Sequence, residues 1–161
     1  MIIKKNKGFK TTQTIKNDIM YGFQKILSQN HPIYSITISN TQIKTSEELR
    51  FNLTNKLFNR LHKDYKNTYE VINYLFVIEY PEKVSRGNLL PDNCEVHSHI
   101  VVATTLLPQQ IEYYIQTTFK NPGIHVERID NRTDKENFVN YLIKQEHLLT
   151  DDNYNYKINI N

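Results

Sequence analysis

The stretch that decides the fold is Glu95-Val96-His97-Ser98-His99-Ile100-Val101-Val102-Ala103, a run of strand-forming residues that contains two histidines. Successive side chains of a β-strand point to opposite faces of a sheet, so His97 and His99 are expected to point the same way. Two imidazoles on one face are the start of a site for a divalent metal ion. Two ordinary strand histidines would give the same pattern, so the rest of the chain has to separate the two interpretations.

The segment that precedes this stretch adds a third candidate ligand, Glu79. Residues 70–80 are rich in β-branched and aromatic residues and are predicted to pair with residues 95–104 as an antiparallel hairpin. If Glu79 lies on the face of the two histidines, the rest of that face is apolar: Leu75, Val77, Val101 and Ala103. The other face is then also mostly apolar, with Phe76, Ile78, Tyr80, Val96, Ser98, Ile100 and Val102. Both faces are therefore expected to be covered.

The three candidate ligands would meet at one end of one sheet face. Two imidazoles and one carboxylate leave coordination positions open for water or substrate. Mixed nitrogen and oxygen ligands suit Mn²⁺, and Mg²⁺ is the alternative where phosphate oxygens complete the shell. Exposure of Glu79 at the strand end would also explain a carboxylate at this position.

The remaining pattern predicts an α+β protein. Apolar spacing predicts helices over residues 15–29, from Ser46 as N-cap to about Lys63, from Pro108 onward, and over 135–148; strands are expected over 33–39 and 124–130. From residue 33 the order is β-α-β-β-α-β and then a helix. This is the split βαβ order of ferredoxin-like and RRM-like folds, with a central antiparallel sheet and helices packed on its faces.

Composition and length set limits on the class of protein. The chain has 161 residues, of which 23% are charged and 39% hydrophobic, as in one globular domain. A formal net charge of +3 is a weak indication of a polyanionic partner. The lone Cys94 excludes an internal disulfide and a cysteine-based zinc site. No signal peptide or membrane-spanning stretch is recognisable, so we expect a cytoplasmic protein with no membrane partner.

Three segments are expected along the chain. Residues 1–32 are predicted to hold a basic segment and an amphipathic helix, residues 33–149 the main domain, and residues 150–161 a polar C-terminal tail. The tail is expected to be either frayed or a marginal additional strand.

The last predicted helix carries a tyrosine and a lysine at one edge of its buried stripe. Phe138 and Leu142 belong to the stripe, and Tyr141 lies at its edge with Lys144 three residues further on. A tyrosine that is half in the core can present its hydroxyl in a cleft, and the lysine could meet a phosphate or a developing phenolate. An amphipathic core tyrosine and a solvated lysine are the alternative.

Three short motifs follow one another along the chain. Tyr34–Asn40 has a strand pattern of the hydrophobic-Thr-hydrophobic type, Val96–Val102 contains two histidines separated by one residue, and Asn140–Lys144 contains Tyr-x-x-Lys. In this order they resemble the first motif, the histidine–hydrophobic–histidine motif and the Tyr-x-x-Lys motif of the HUH endonucleases, specifically rolling-circle replication initiator (Rep) proteins with a single catalytic tyrosine. Each motif is short, and it is their order on the expected elements that carries the resemblance.

The resemblance also bears on the third ligand. Glu79 stands where the family often supplies that ligand, whereas Gln145 stands where the related single-tyrosine transposases place a glutamine. Glu79 is the choice here, with Gln145 as the alternative, because hairpin pairing alone brings Glu79 to the histidines. Ser98 departs from the family pattern, which usually has a bulky apolar residue there.

The resemblance implies a metal-dependent, site-specific endonuclease and ligase acting on single-stranded DNA. Tyr141 would be the nucleophile that forms a 5′-phosphotyrosine link, Lys144 would stabilise charge, and His97, His99 and Glu79 would hold Mn²⁺ or Mg²⁺. The partner would be single-stranded DNA, presented in a hairpin at the replication origin of a replicon such as a plasmid or virus. No Walker-type phosphate loop is recognisable, so a separate helicase or a longer protein would open the duplex. Whether the protein acts as a monomer or a dimer stays open.

Three alternatives remain at this point. The first is a single-tyrosine transposase of the same superfamily, which would be favoured by a dimer and by hairpin-bearing substrate ends. The second is a non-catalytic module that binds single-stranded nucleic acid. The third is a small ferredoxin-like domain whose histidines are structural.

Overall fold

One five-stranded antiparallel sheet forms the centre of the protein. The computed structural model describes residues 12–80, 95–130 and 156–160. The strands are β1 (Ile33–Ser39), β2 (Ile72–Glu79), β3 (His97–Thr104), β4 (Gly123–Arg128) and β5 (Tyr156–Asn159), arranged as β4-β1-β3-β2-β5. Every neighbouring pair is antiparallel. The predicted α+β class and split βαβ order are confirmed.

The helices connect and cover these strands. They are α1 (Thr12–Leu27), α2 (Ser46–Phe51), a π-helical segment (Asn52–Phe58), α3 (Asn59–Tyr65) and α4 (Pro108–Thr118). Residues 46–65 form one continuous helical stretch, along which leucines recur every four residues, at Leu49, Leu53, Leu57 and Leu61. The repeat also gives a physical reason for the π-helical turn. Residues four apart drift by about 40° per step around an α-helix of 3.6 residues per turn, and the wider π turn reduces that drift. All four leucines of the repeat are fully buried.

The helix begins one residue earlier than predicted. The side chain of Thr45, whose backbone is extended, accepts a hydrogen bond from the backbone N–H of Glu48 at 3.2 Å, so Thr45 is the N-cap. The prediction that Ser46 caps the helix is therefore wrong. The Ser46 hydroxyl is buried and accepts a hydrogen bond from the Tyr80 hydroxyl at 3.2 Å.

Each face of the sheet is covered by a separate apolar core, as expected from the two apolar faces of β2 and β3. On the α1 face, α1 packs with Ile15, Ile19, Phe23 and Ile26 against Leu75, Val77, Val101 and Ala103. On the opposite face, which we call the α2–α4 face, the remaining helices pack against Tyr34, Ile36, Tyr74, Phe76, Ile100 and Val102, among others.

The C-terminal residues that the structure describes belong to the sheet. Of the two expectations for residues 150–161, the additional strand applies to Tyr156–Asn159, which pairs with β2. The helix predicted over 135–148, with Tyr141, Lys144 and Gln145, lies outside the described residues. The segment boundaries at residues 32 and 149 stay a prediction. Within the described ranges, none of the helices has the length and apolar character needed to cross a membrane.

Candidate metal centre

The pairing of β2 with β3 brings the three predicted ligands to one place. Glu79 lies opposite His97, and Val77 lies opposite His99. Because side chains alternate along each strand, Glu79 and both histidines share the α1 face. The predicted register and shared face are confirmed.

The polar atoms of the three side chains converge closely. His99 Nε2 is 2.6 Å from Glu79 Oε2, and His97 Nε2 is 3.3 Å from the same oxygen. The two imidazole rings are nearly perpendicular, at 84°, with centroids 5.1 Å apart. One ligand atom of each residue lies within 4.8 Å of the other two. Such a set can hold one metal ion, and among the residues that the structure describes it is the single cluster of at least three His, Cys, Asp or Glu side chains with this property.

Burial makes the cluster distinctive. Glu79 is 6% exposed and His99 is 3% exposed, whereas the side chain of His97 is 27% exposed. A buried carboxylate is costly to keep charged unless a partner compensates for the lost hydration. The two imidazoles, or an ion held by all three residues, supply that compensation. The exposed part of His97 leaves the cluster open to solvent on one side.

A fourth residue, Thr37, supports the cluster from β1. Thr37 lies opposite His99, and its Oγ1 is 3.2 Å from His99 Nδ1. If Nδ1–H donates to this hydroxyl, the lone pair of Nε2 faces Glu79, which is the arrangement of a metal-ligating histidine with an outer hydrogen-bond partner. If the Thr37 hydroxyl instead donates to Nδ1, Nε2–H donates to Glu79 Oε2 at 2.6 Å, and the buried pair is satisfied by that hydrogen bond. In the first arrangement the cluster offers two imidazole nitrogens and a carboxylate oxygen, which are ligand types that suit a divalent cation.

The sequence alone did not reveal that Thr37 contacts a candidate metal ligand. Thr37 falls within the first motif, but its contact with His99 depends on β1 being the neighbour of β3. The signal was the alternation of the strand itself, in which Ser35, Thr37 and Ser39 share one face and Ile36 and Ile38 share the other. The other predicted site residues, Tyr141, Lys144 and the alternative ligand Gln145, lie outside the described residues.

Comparison with known proteins does not assign a family. No protein-family model matches the sequence, and no curated protein matches it. Among solved structures, the chain is similar to the hypothetical protein ORF119 from Sulfolobus islandicus rod-shaped virus 1. The TM-score is 0.49 and the identity is 14%, over 80% of this chain and 94% of that chain. That likeness is too distant to bear on function.

Proposed function

We propose that this protein is a metal-dependent endonuclease and strand transferase that nicks single-stranded DNA at an origin to initiate rolling-circle replication. The observation that carries the proposal is the convergence of Glu79, His97 and His99 on one sheet face, with Thr37 behind His99. The ordered HUH-like motifs supply the reaction type. A metal site alone would fit many classes of hydrolase. The Tyr-x-x-Lys motif is the feature that favours a nuclease with a tyrosine nucleophile among them.

The proposed ion is Mn²⁺ or Mg²⁺, held by Glu79, His97 and His99. When bound, it would polarise the scissile phosphate as a Lewis acid. Imidazole and carboxylate ligands suit Mn²⁺, whereas Mg²⁺ is usually held by few carboxylates together with water and phosphate oxygens. The single carboxylate would offset one of the two positive charges, and the neutral imidazoles would supply the remaining protein ligands.

Tyr141 is the proposed nucleophile. Its hydroxyl oxygen forms a bond to phosphorus as the bond to the 3′-oxygen breaks, leaving a 5′-phosphotyrosine link and a free 3′-OH. A phenol loses its proton with a pKa of about 10 when unperturbed, so the phenolate needs stabilisation near neutral pH. The ammonium group of Lys144 would stabilise charge on the phenolate or the phosphate. Attack by a 3′-OH on the link reverses the step and rejoins DNA without ATP.

The direct test is the formation of a covalent protein–DNA adduct. A single-stranded oligonucleotide pool with a randomised core is incubated with Mn²⁺ and resolved on a denaturing gel. Because Tyr141 would retain the 5′-phosphate of the downstream fragment, a label at the 3′ end is expected to move with the protein. A label at the 5′ end is expected on a free fragment.

Two variants assign the nucleophile. Tyr141→Phe is expected to abolish the adduct, whereas Tyr113→Phe, at an exposed position on α4, is expected to leave it intact. EDTA is expected to abolish the adduct of the wild-type protein. Absence of any wild-type adduct, or an adduct formed by Tyr141→Phe, would refute the proposal.

A structural role for the cluster is the competing candidate, and the 2.6 Å contact between His99 and Glu79 favours it. In that case the buried pair would be satisfied by a shared proton, and Mn²⁺ would neither bind nor stabilise the fold. Isothermal titration of the wild-type protein with Mn²⁺ separates the two candidates before any DNA is used.

A further inference from the structure

A cationic groove runs along β5 at the edge of the sheet. Its main cavity, of about 570 Å³, lies at the β5 edge of the sheet and is lined by Lys25 of α1, Arg50 of α2 and Lys157 of β5. Among the described residues of that lining, Asp18 is the single carboxylate. An adjoining cavity of about 320 Å³ shares Arg50 and Lys157 and adds Glu47. We call the two cavities together the edge groove.

Arg50 and Lys157 are held near each other although they come from different elements. The pKa of Lys157 is lowered, first because partial burial disfavours its charged form and second because the Arg50 guanidinium lies nearby. A phosphate between two such cations would relieve their mutual repulsion and form charge-assisted hydrogen bonds with both.

Exposed aromatic rings flank these cations. Tyr21 is 61% exposed, lines the main cavity and has Lys25 Nζ 5.0 Å from its ring centroid. Phe51 is 54% exposed and lines the adjoining cavity. Cations that follow a backbone, combined with rings on which bases can stack, are typical of sites for single-stranded nucleic acid.

The edge groove begins close to the candidate metal centre. Tyr156, which lines the main cavity, pairs with Val77, and Val77 pairs with His99. Tyr156 and His99 lie two strands apart in the sheet, so their Cα atoms are separated by about 10 Å. Both side chains lie on the α1 face, so a chain held in the groove would pass near the metal centre.

We infer that the edge groove, through Lys25, Arg50, Lys157 and Tyr21, binds the phosphodiester backbone of a single-stranded nucleic acid. The inference rests on the proposed function for the identity of the polymer, and it adds a binding site outside the metal centre. Lys25 and Lys157 contact phosphates, and Tyr21 stacks on an unpaired base. The groove therefore sets the path of the strand on one side of the site of cleavage.

Binding without metal tests this inference independently of catalysis. The probe is a fluorescein-labelled oligothymidylate of about 20 nucleotides, followed by fluorescence anisotropy in EDTA at several salt concentrations. The double variant Lys25→Gln/Lys157→Gln is expected to bind about tenfold more weakly. Its slope of log K against log salt is expected to fall by about 1.4, the value for two lost single-strand phosphate contacts.

A matched pair of lysines controls for net charge. Lys63→Gln/Lys120→Gln removes the same charge at exposed positions outside the edge groove, and its affinity is expected to stay within about twofold of wild type. The thermal unfolding of both double variants is followed by circular dichroism, so that a folding defect is recognised.

A matched pair of tyrosines tests stacking. Tyr21 and Tyr113 are 61% and 62% exposed, each on a helix. Tyr21→Ala is expected to weaken oligothymidylate binding by about tenfold, the scale of one lost base stack. Tyr113→Ala is expected to leave it unchanged.

Three results would overturn the inference: wild-type affinity in the Lys25/Lys157 variant, an equal loss in the Lys63/Lys120 variant, or equally tight binding of a duplex through the same lysines. These results are separable from failure of the nuclease proposal. A wild-type protein that forms no adduct but binds oligothymidylate through the groove refutes the nuclease and keeps the groove. Adduct formation with an unchanged KM in Lys25→Gln/Lys157→Gln refutes the groove and keeps the nuclease.

Discussion

Strands β2 and β3 present two contrasting faces at the end where the candidate metal centre lies. On the α1 face, Glu79, His97 and His99 place their polar atoms within 4.8 Å of one another, and Thr37 contacts His99 from the next strand. On the α2–α4 face, Ser98 lies between the two histidines in sequence, is fully buried and has a hydroxyl that finds no hydrogen-bond partner among the residues that the structure describes.

The comparison separates two meanings of a buried polar group. An isolated hydroxyl in an apolar core lowers the free energy of unfolding, and its surroundings indicate no other role for it. Several ionisable groups that converge, each with a partner, form a site whose cost is offset when an ion binds. Convergence, and not burial alone, therefore distinguishes the candidate metal centre from Ser98, and the two faces can be tested against each other.

The largest effect is expected from Glu79→Gln. Loss of the carboxylate removes the only negative charge of the cluster. Mn²⁺ affinity is expected to fall by about 100-fold or more, because Glu79 is a proposed direct ligand and outer-sphere partners already contribute about 10- to 100-fold. Isothermal titration measures the affinity. Saturating Mn²⁺, at about 100 times the wild-type Kd, is expected to stabilise the wild-type protein by about 2.7 kcal/mol and the variant by no more than about 0.4 kcal/mol.

The exposed pair of His125 and Glu127 provides the control. Its nitrogen and oxygen are 3.8 Å apart, and Glu127→Gln removes a carboxylate from beside an imidazole without disturbing a buried cluster. Mn²⁺ affinity is expected to stay at the wild-type value. If Glu79→Gln binds Mn²⁺ as tightly as wild type, the cluster is not the metal site.

Thr37→Val is expected to have the next largest effect. Valine keeps the shape of threonine but removes the hydroxyl that contacts His99 Nδ1 at 3.2 Å. Mn²⁺ affinity is expected to fall by about tenfold, because outer hydrogen bonds orient a ligating imidazole. Thr37→Ser keeps a hydroxyl and is expected to restore most of the affinity. Equal affinities for the valine and serine variants would show that the orientation of His99 comes from elsewhere.

The sequence was sufficient to assign the side chains of β2 and β3 to alternate faces of the sheet, because that assignment depends only on the two-residue period of a strand. A one-residue slip of β3 against β2 would move His97 and His99 to the face opposite Glu79. Hairpin pairing with Glu79 on the face of the histidines was the one further assumption needed to bring the three residues together. The bounds of β1 were also predicted correctly, since Pro32 precedes a β-branched alternating run.

Features that depend on distant neighbours could not be predicted in the same way. The contact of Thr37 with His99 needs the order of strands, and the short β5 needs the free edge of β2 to pair with. The N-cap was missed because Thr45 and Ser46 are equally able to cap a helix, and the burial of Ser46 beneath Tyr80 decided between them. The roles of Tyr141 and Lys144 stay predictions.

Alkaline pH is expected to act on the α2–α4 face. Burial raises the pKa of Tyr74 to about 12, an increase that Arg50 partly opposes. Above pH of about 10 the unfolded chain loses this proton before the folded protein does, so the free energy of unfolding falls as pH rises toward 12. Below pH of about 10 the contribution is constant.

Tyr74→Phe tests the source of this dependence. Phenylalanine keeps the ring that stacks on Phe58, with centroids 3.6 Å apart, but it has no proton to lose. Urea unfolding in EDTA is expected to show a shallower decline for the variant between pH of about 10 and 12. The pKa of Tyr114 is also raised to about 12, but Tyr114 is present in both proteins and therefore contributes equally to both slopes. Identical slopes would show that the Tyr74 phenol does not contribute.

The smallest effect is expected from Ser98→Ala, and it tests the opposite side of the comparison. Alanine removes a buried hydroxyl that has no hydrogen-bond partner within the described part of the chain and changes little else, so the free energy of unfolding is expected to rise by about 1 kcal/mol. Thermal unfolding should show an increase in Tm of about 2–4 °C. Because the Ser98 side chain points away from His97 and His99, the Mn²⁺ affinity is expected to stay unchanged. A gain in stability together with unchanged metal affinity would show that the two faces of β3 are independent, one serving the core and the other the site. A change in Mn²⁺ affinity would instead show that the α2–α4 core sets the position of the two imidazoles.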